Sequence, residues 1–366
     1  MNEKISRYFY SLMTDEARGS VVSAMMAETM KFLLYGLSFD YASVLSLMKF
    51  LLKRGIIRSY RPKCKVISVG NITLGGTGKT PLTIGIARKF KEKGKKVVIL
   101  TRGYMKDRNT GVADEAEVFK SLLNGVPVIV GRDRIASAME AEKKYAPDVI
   151  LLDDGFQHWR LERDIDLVSV SADNPFGNGK LLPRGILREP VSALKRADII
   201  VVTKVLPEEA SQGRAEILKD RIKSINPGVS IFSASYRPQR LYDAEGGSEA
   251  AIDCLNNKSV ALLCAIGDPA SFEDTVVSLG ANIAAAYFFM DHHIFTSREI
   301  EKIIGECKAK RVDTIVTTEK DLPRIRQARA AYQGSGVRIL ALAVEMKIDN
   351  EENFFGRLDT LFTRKV

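Results

Sequence analysis

Several common classes of protein are excluded by what this sequence has little of. Its 366 residues contain four cysteines, Cys64, Cys254, Cys264 and Cys307, standing far apart with no C-x-x-C pair. That spacing argues against a zinc ribbon or a disulfide framework and suits a reducing compartment. There is one tryptophan, and no basic stripe interleaved with aromatics, so nucleic acid is not an expected partner. The most apolar stretch, 30–63, is interrupted by Lys31, Asp40, Lys49 and Lys53. It has no run of about 18 uncharged apolar residues and should not span a bilayer. The first twenty residues show no basic start followed by an apolar core, so no secretory signal is expected. No repeat and no low-complexity tract is found.

The balance that remains is globular: 45% apolar, 27% charged, net charge +10. The length favours two domains and the charge favours acidic partners, such as an anionic membrane surface or a phosphorylated substrate. Between Tyr41 and Ile57, Val44, Leu45, Met48, Leu51 and Leu52 recur at helical spacing, bordered by Lys49, Lys53, Arg54 and Arg58. A helix lying among lipid headgroups has this pattern. A helix packed against its own domain has it as well.

From Lys65 the pattern becomes strand, loop, helix. "KVISVG" reads as a buried strand and "KTPLTIGIARKFKEKG" as a helix stopped at Gly94. Further apolar runs at 95–104, 126–131, 148–154, 164–173 and 197–205 lack alternation, which predicts a parallel sheet covered on both faces. A second series of strands begins near Ser259. The expected fold is α/β, a P-loop NTPase-type parallel-sheet domain joined by a β-strand linker to a smaller α/β domain. The boundaries expected are an N-terminal segment 1–63 belonging to the first domain, its core at 64–210, a linker at 211–258 and the smaller domain at 259–366.

The stretch "GNITLGGTGKT", 70–80, lies where a phosphate cradle would lie. Such a cradle needs a strand, a loop whose backbone N–H groups converge, and a helix N-terminus aimed at the anion. Gly75, Gly76, Thr77 and Gly78 form the loop, Lys79 supplies a point charge, and Thr80 can hold Mg²⁺. The usual G-x-x-x-x-G-K-[ST] pattern places a glycine at 73, where this chain has Thr73. "VILLDD" supports the assignment: an apolar strand ending in Asp153 and Asp154 reaches a metal as a Walker B strand does. Guanine sites leave N-K-x-D after a late strand; "VTKVLP" at 202–207 has neither the Asn nor the Asp, so ATP is the expected nucleotide.

Other candidates surround these motifs. Arg102 and Tyr104 follow a strand end, where loops of open α/β sheets face ligand. Asp114 and Glu115 could supply a base. Gln157 and His158 would share the Asp154 site if the chain turned into a helix there. The loop 176–190 carries Lys180, Arg184 and Arg188 among glycines and prolines, a mobile basic segment suited to anions. In "FFMDHHIF", His292 and His293 are adjacent and point apart, a poor metal pair; one His oriented by Asp291 or by another domain's Asp is a better base arrangement.

In order, "SVGNITLGGTGKTPL", "TRGY", "ADEAEVF", "LLDDGFQHWRLERDIDLV", "GNGKLLPRGILREP", "DHHIFT" and "TTEKD" resemble the tetraacyldisaccharide 4′-kinase family over roughly residues 40 to 345. The resemblance implies ATP- and Mg²⁺-dependent phosphorylation of the 4′-hydroxyl of a tetraacylated glucosamine disaccharide 1-phosphate, giving lipid IVA. It implies a peripheral enzyme on the cytoplasmic face of a bacterial inner membrane, with no obligate protein partner. It places Lys79 and Thr80 on phosphates and metal, and Asp153, Asp154 and Gln157 at the metal. Asp114 becomes the base, coupled to His292 of the other domain, and Tyr104 and Arg188 become substrate or phosphate contacts. Ala113, Ala116 and Met105 depart from the family's Gly, Pro and Gly, whereas Thr73 is the family's own variant. The rival reading is a membrane-associated regulatory NTPase without a small-molecule acceptor.

Overall fold

A computed structural model describes residues 11–15, 21–103, 114–206, 209–290 and 293–363. The chain divides into two compact units, one formed by 1–235 together with 347–366 and the other by 236–346.

The first unit opens with α1 (Val21–Lys53), then β1 (Lys65–Gly70), α2 (Lys79–Glu92) and β2 (Val97–Thr101). It continues through α3 (Asp114–Leu122), β3 (Val128–Val130), α4 (Arg134–Tyr145), β4 (Val149–Asp153), β5 (Ile165–Ser171) and β6 (Ile199–Thr203). After α5 (Glu209–Ile225), the first residues of β7 (Ser230–Asp243) complete a parallel sheet in the order β7-β6-β5-β1-β4-β2-β3. Every residue of β2, β4, β5 and β6 is buried. That is why their sequences run apolar without alternation: both faces are covered by helices. Val66, Leu100, Ile150 and Leu152 pack with Ala138 and Ala141 of α4, while Val168, Val170, Ile200 and Val202 pack with Ala215, Leu218 and Ile222 of α5. The sheet order puts the C-terminal ends of β1 and β4 side by side, with Val69 level with Asp153.

The second unit holds β8 (Glu249–Ala250), β9 (Ser259–Cys264), β10 (Asn282–Phe288), β11 (Thr314–Thr318) and most of β12 (Arg338–Ile348). Its strands run in the order β10-β9-β11-β12, parallel to one another. Its helix Ser297–Ala309 begins with a capping box between Thr296 and Glu299. The expected linker 211–258 divides differently: 211–225 lies in helix α5 of the first unit, whose buried Ala215, Leu218 and Ile222 pack on the sheet. Residues 347–366, expected in the smaller domain, also belong to the first unit. There Phe354 packs edge-on against Phe232 and Phe362 against Phe90.

Helix α1 extends further than the sequence pattern predicts, over 33 residues. One face of it packs on its own unit and the other leaves apolar side chains outward. Ala27, Leu34 and Ser38 are buried and Tyr41, Leu45, Lys49, Leu51 and Leu52 half-buried. Met25, Met26, Phe32, Leu33, Phe39, Val44, Leu47 and Phe50 face outward. The expected stripe therefore splits, with Val44 and Met48 exposed and Leu45, Leu51 and Leu52 turned inward. Among the described residues no helix is long and apolar enough to cross a membrane.

Candidate active site

Strand β1 delivers the chain to Gly70, where a Cβ would sit 2.6 Å from Phe156 Cβ and 2.7 Å from its backbone nitrogen. Only glycine allows the two segments this close. The loop that follows is laid against 186–188: Leu74 N donates to Ile186 O at 2.7 Å, and Arg188 N to Ile72 O at 2.7 Å. Thr73 forms the antiparallel bridge with Leu187 between them and is not among the residues with positive φ. The position thus has no need of the glycine that the usual pattern puts there. Gly75 (φ 99) and Gly78 (φ 80) do adopt the left-handed region, and Gly78 caps α2 so that the helix N-terminus closes the cradle.

Thr77 is turned inward. Its hydroxyl accepts from Asn71 Nδ2 at 3.0 Å and meets Ser169 Oγ at 2.8 Å, and its carbonyl accepts from Thr203 Oγ1 at 3.0 Å. These bonds fix the loop from beneath and leave its backbone N–H groups as the anion-binding feature. Gly76, Lys79 and Thr80 lie at the mouth, with Lys79 and Thr80 half-buried in the first turn of α2.

The two carboxylates of the β4 end separate. Asp153 stays in the sheet, buried, accepting from Thr83 Oγ1 at 3.3 Å and Thr101 Oγ1 at 3.5 Å. Asp154 takes φ 52, which breaks the strand's alternation and swings its side chain to the cradle. There Oδ1 lies 2.7 Å from Arg188 Nη1 and 3.5 Å from Lys79 Nζ. Burial by itself would push this carboxyl up, but the charges of Lys79 and Arg188, with the Arg188 hydrogen bond, hold it well below the ordinary carboxylate range. Asp154 is ionised at neutral pH.

No helix follows Asp154. The chain makes successive turns, with His158 N bonded to Gly155 O, and these bring Gln157 back to β1. Gln157 Nε2 donates to Asn71 O at 2.9 Å and to Glu189 Oε1 at 3.2 Å, which leaves Oε1 buried with no partner. His158 is half-buried; burial, then the charge of Arg134, pushes its imidazole down to about 4, so it is neutral at physiological pH.

The loop 176–190 is tied rather than free. Leu182 N bonds Leu187 O, Gly185 N bonds Leu181 O, and Arg184 pairs with Asp15 at 2.7 Å. Of its three cations only Arg188 reaches the cradle, where Nη1 also donates to Asn71 Oδ1 at 3.3 Å. Arg102 is exposed at the end of β2. Asp114 begins α3, but its side chain, Tyr104, Asp291 and His292 lie outside the described residues.

Two residues that sequence reasoning passed over are central. Asn71 is fully buried and ties together Thr77, Gln157 and Arg188. Glu189 is fully buried beside Gln157 and is met by Arg196 at 2.9 and 3.0 Å and by Lys49 at 2.9 Å. The signal that could have found them was their place inside the strings "SVGNITLGGTGKTPL" and "GNGKLLPRGILREP"; residue type alone does not distinguish them from ordinary loop residues.

The arrangement suits binding of a nucleotide triphosphate: converging N–H groups, a helix N-terminus, two cations and an ionised carboxylate within one small space. Comparison with known proteins agrees. Residues 30–363 match the family model described as tetraacyldisaccharide-1-P 4′-kinase. A tetraacyldisaccharide 4′-kinase of Halothermothrix orenii is 31% identical over 95% of this chain and 96% of its own. That of Elusimicrobium minutum is 33% identical, over 89% and 90%. The crystal structure of LpxK from Aquifex aeolicus in complex with ATP is 26% identical, with a TM-score of 0.64, covering 89% of this chain and 97% of that one.

Proposed function

Because the chain belongs to the tetraacyldisaccharide-1-phosphate 4′-kinase family, we propose that it transfers the γ-phosphoryl group of ATP to the 4′-hydroxyl of a tetraacylated disaccharide 1-phosphate, giving lipid IVA, over the cradle of Lys79, Asp154 and Arg188. The observation that carries this reading is the convergence of both cations on one Asp154 oxygen at the N-terminus of α2. Transfer is mostly positioning and charge neutralisation. The β- and γ-phosphates would rest on the N–H groups of 75–80, and Lys79 and Arg188 would exchange Asp154 for phosphate oxygens. Asp114 would take the proton of the 4′-hydroxyl, and Arg102 and Tyr104 would meet substrate.

The residues fit Mg²⁺. That ion needs only one or two carboxylates, because phosphates and waters complete its shell. Asp154 is ionised, and three residues further along the chain Gln157 Oε1 is buried with no partner. The Thr80 hydroxyl, Asp154 and Gln157 would hold the ion, and Asp153, bonded to Thr83 and Thr101, would brace the strand end. When bound, Mg²⁺ would neutralise charge on the phosphates.

A substrate with four acyl chains does not leave a bilayer readily, since each CH₂ is worth about 0.8 kcal/mol. The outward face of α1, with Phe32 78% and Phe39 74% exposed, and Lys53, Arg54 and Arg58 at its end, would rest on the anionic cytoplasmic leaflet of a bacterial inner membrane. The membrane comes to the enzyme as a surface, not a span.

The deciding experiment supplies Mg-ATP labelled in the γ-phosphate and detergent-dispersed disaccharide 1-phosphate lipid, and follows label by thin-layer chromatography. Wild type should label the lipid and Asp114→Ala should not. Label appearing only as inorganic phosphate would favour the regulatory NTPase.

A further inference from the structure

Helix α1 meets the loop 176–190 with the face opposite its exposed apolar one. Lys49 Nζ reaches Glu189 Oε2 at 2.9 Å, and the Tyr41 hydroxyl donates to the Arg188 carbonyl at 2.9 Å. The two residues are eight positions apart and so share one helix face. One turn earlier the same face carries Ser38, whose hydroxyl bonds Leu181 O at 2.9 Å and accepts from Arg184 N at 3.0 Å. Every one of these contacts is to the loop that ends in Arg188 and Glu189.

Those two neighbours face different tasks. Pro190 disfavours a helical backbone at Glu189, and in extended chain successive side chains point to opposite sides. Arg188 turns to Asp154 at 2.7 Å. Glu189, with no exposure, turns to Arg196, Lys49 and Gln157. A buried carboxylate of this kind has a large penalty unless its geometry is held by several partners. Its partners therefore set the backbone from which Arg188 projects, and the same carboxylate receives Gln157 Nε2, which orients the partnerless Gln157 Oε1.

We propose that Lys49 and Tyr41 are positioning residues for phosphoryl transfer: through the Glu189 carboxylate and the Arg188 carbonyl, helix α1 fixes Arg188 and Gln157 at the nucleotide. The inference rests on the kinase reading and deepens it. It also reassigns Lys49, which the sequence pattern places among headgroup-binding cations. Its ammonium is bound to a carboxylate inside the unit. The helix proposed to meet lipid on one face thus holds Arg188 in place with the other.

The test uses the full chain with substrate in detergent micelles, where attachment to a bilayer plays no part. Lys49→Met keeps the side-chain volume and leaves Glu189 its two bonds from Arg196, so the fold should persist. Loss of one charge-assisted bond at the site should lower kcat about tenfold, with KM for ATP and lipid unchanged and Lys49→Arg restoring most of it. Tyr41→Phe should lower kcat by a smaller factor. Pelleting with phosphatidylglycerol vesicles should match wild type in all three.

Trp159, the single tryptophan, gives a readout independent of transfer, because Lys49 Nζ lies 5.0 Å from its ring and Arg196 Cζ 5.8 Å. Its emission should respond to Mg-ATP in wild type and lose that response in Lys49→Met. An unchanged kcat with weakened pelleting would make Lys49 a headgroup contact and overturn the proposal. So would a loss of activity that follows the unfolded fraction and is not restored by arginine. If wild type failed to label lipid, the kinase reading would fall while the Trp159 response still decided the coupling.

Discussion

Arg188 Nη1 lies 2.7 Å from Asp154 Oδ1, which joins a loop 34 residues downstream to the end of β4 directly over the cradle. With Lys79 on the same oxygen at 3.5 Å, the site keeps its two cations neutralised by a carboxylate that an incoming phosphate can replace. Arg188→Met should therefore lower phosphoryl transfer by about 10- to 100-fold, in line with charge-assisted bonds of ~1.5–3 kcal/mol. Arg188→Lys should recover part of this, since an ammonium keeps the charge but not the planar guanidinium whose Nη1 bonds both Asp154 and Asn71. The label-transfer assay measures both, and near-normal kcat in Arg188→Met would remove this residue from the chemistry.

Asp154 also sets part of the acid sensitivity. Burial opposes its ionisation, and Lys79 and Arg188 more than offset that. A carboxyl depressed in the folded state contributes stability that is present above about pH 4, its unfolded value, and is lost as pH falls below it. Urea unfolding at pH 5, 4 and 3 should show wild type losing stability below pH 4, and Asp154→Asn losing less over the same interval.

Gly70 and Gly85 should respond oppositely to alanine. A Cβ at Gly70 meets Phe156 Cβ and N, both fixed to backbone, whereas one at Gly85 meets nothing within 4 Å. Gly70→Ala should destabilise by about 1–3 kcal/mol through forced backbone shifts. Gly85→Ala, inside α2, should be neutral or stabilise by about 0.4–1 kcal/mol. Thermal unfolding of the two variants beside wild type reads the difference.

The exposed face of α1 can be altered without touching the core. Phe32→Ser with Phe39→Ser should leave the melting temperature unchanged, because both rings are already in water. Vesicle pelleting should fall and the apparent KM for lipid in bilayers should rise, with ATP affinity constant. Undiminished pelleting would move the membrane contact off this face.

In the second unit, Asp321 Oδ1 lies 2.6 Å from Arg324 Nη2, and both are buried. Asp321 Oδ2 accepts from Ala265 N at 3.1 Å and Thr318 Oγ1 at 2.6 Å, and Arg324 Nη1 donates to the His293 carbonyl at 3.1 Å. Asp321→Ala removes the carboxylate that meets a buried guanidinium and should cost about 3–5 kcal/mol. Chemical denaturation measures the loss, and a shift under 1 kcal/mol would show that the pair is not buried in solution.

The first unit's strands were legible because parallel strands covered on both faces must be apolar throughout: "KVISVG" is β1 residue for residue. Helix α1 was read in part because its polarity is inverted. Its inward face uses Lys49, Tyr41 and Ser38 to reach partners 140 to 147 residues away, while Phe32 and Phe39 face outward. A pattern rule that sends apolar residues inward assigns such a helix to the wrong side. The domain boundaries escaped for a related reason, since nothing local says that 347–366 returns to the first unit.

What the sequence by itself determined is the cradle: glycines where the backbone is left-handed, a lysine and threonine on the first helical turn, and a buried strand delivering them. Backbone conformation and helix termini are local consequences of residue type. Only the tertiary structure decided which carboxylate meets the cations. Asp153 and Asp154 are equivalent as letters, but β4 keeps one in the sheet beside Thr83 and Thr101, and a left-handed residue turns the other to Lys79 and Arg188. That choice, like the burial of Glu189 between Lys49 and Arg196, depends on charges brought together from distant parts of the chain, which no spacing along the sequence encodes.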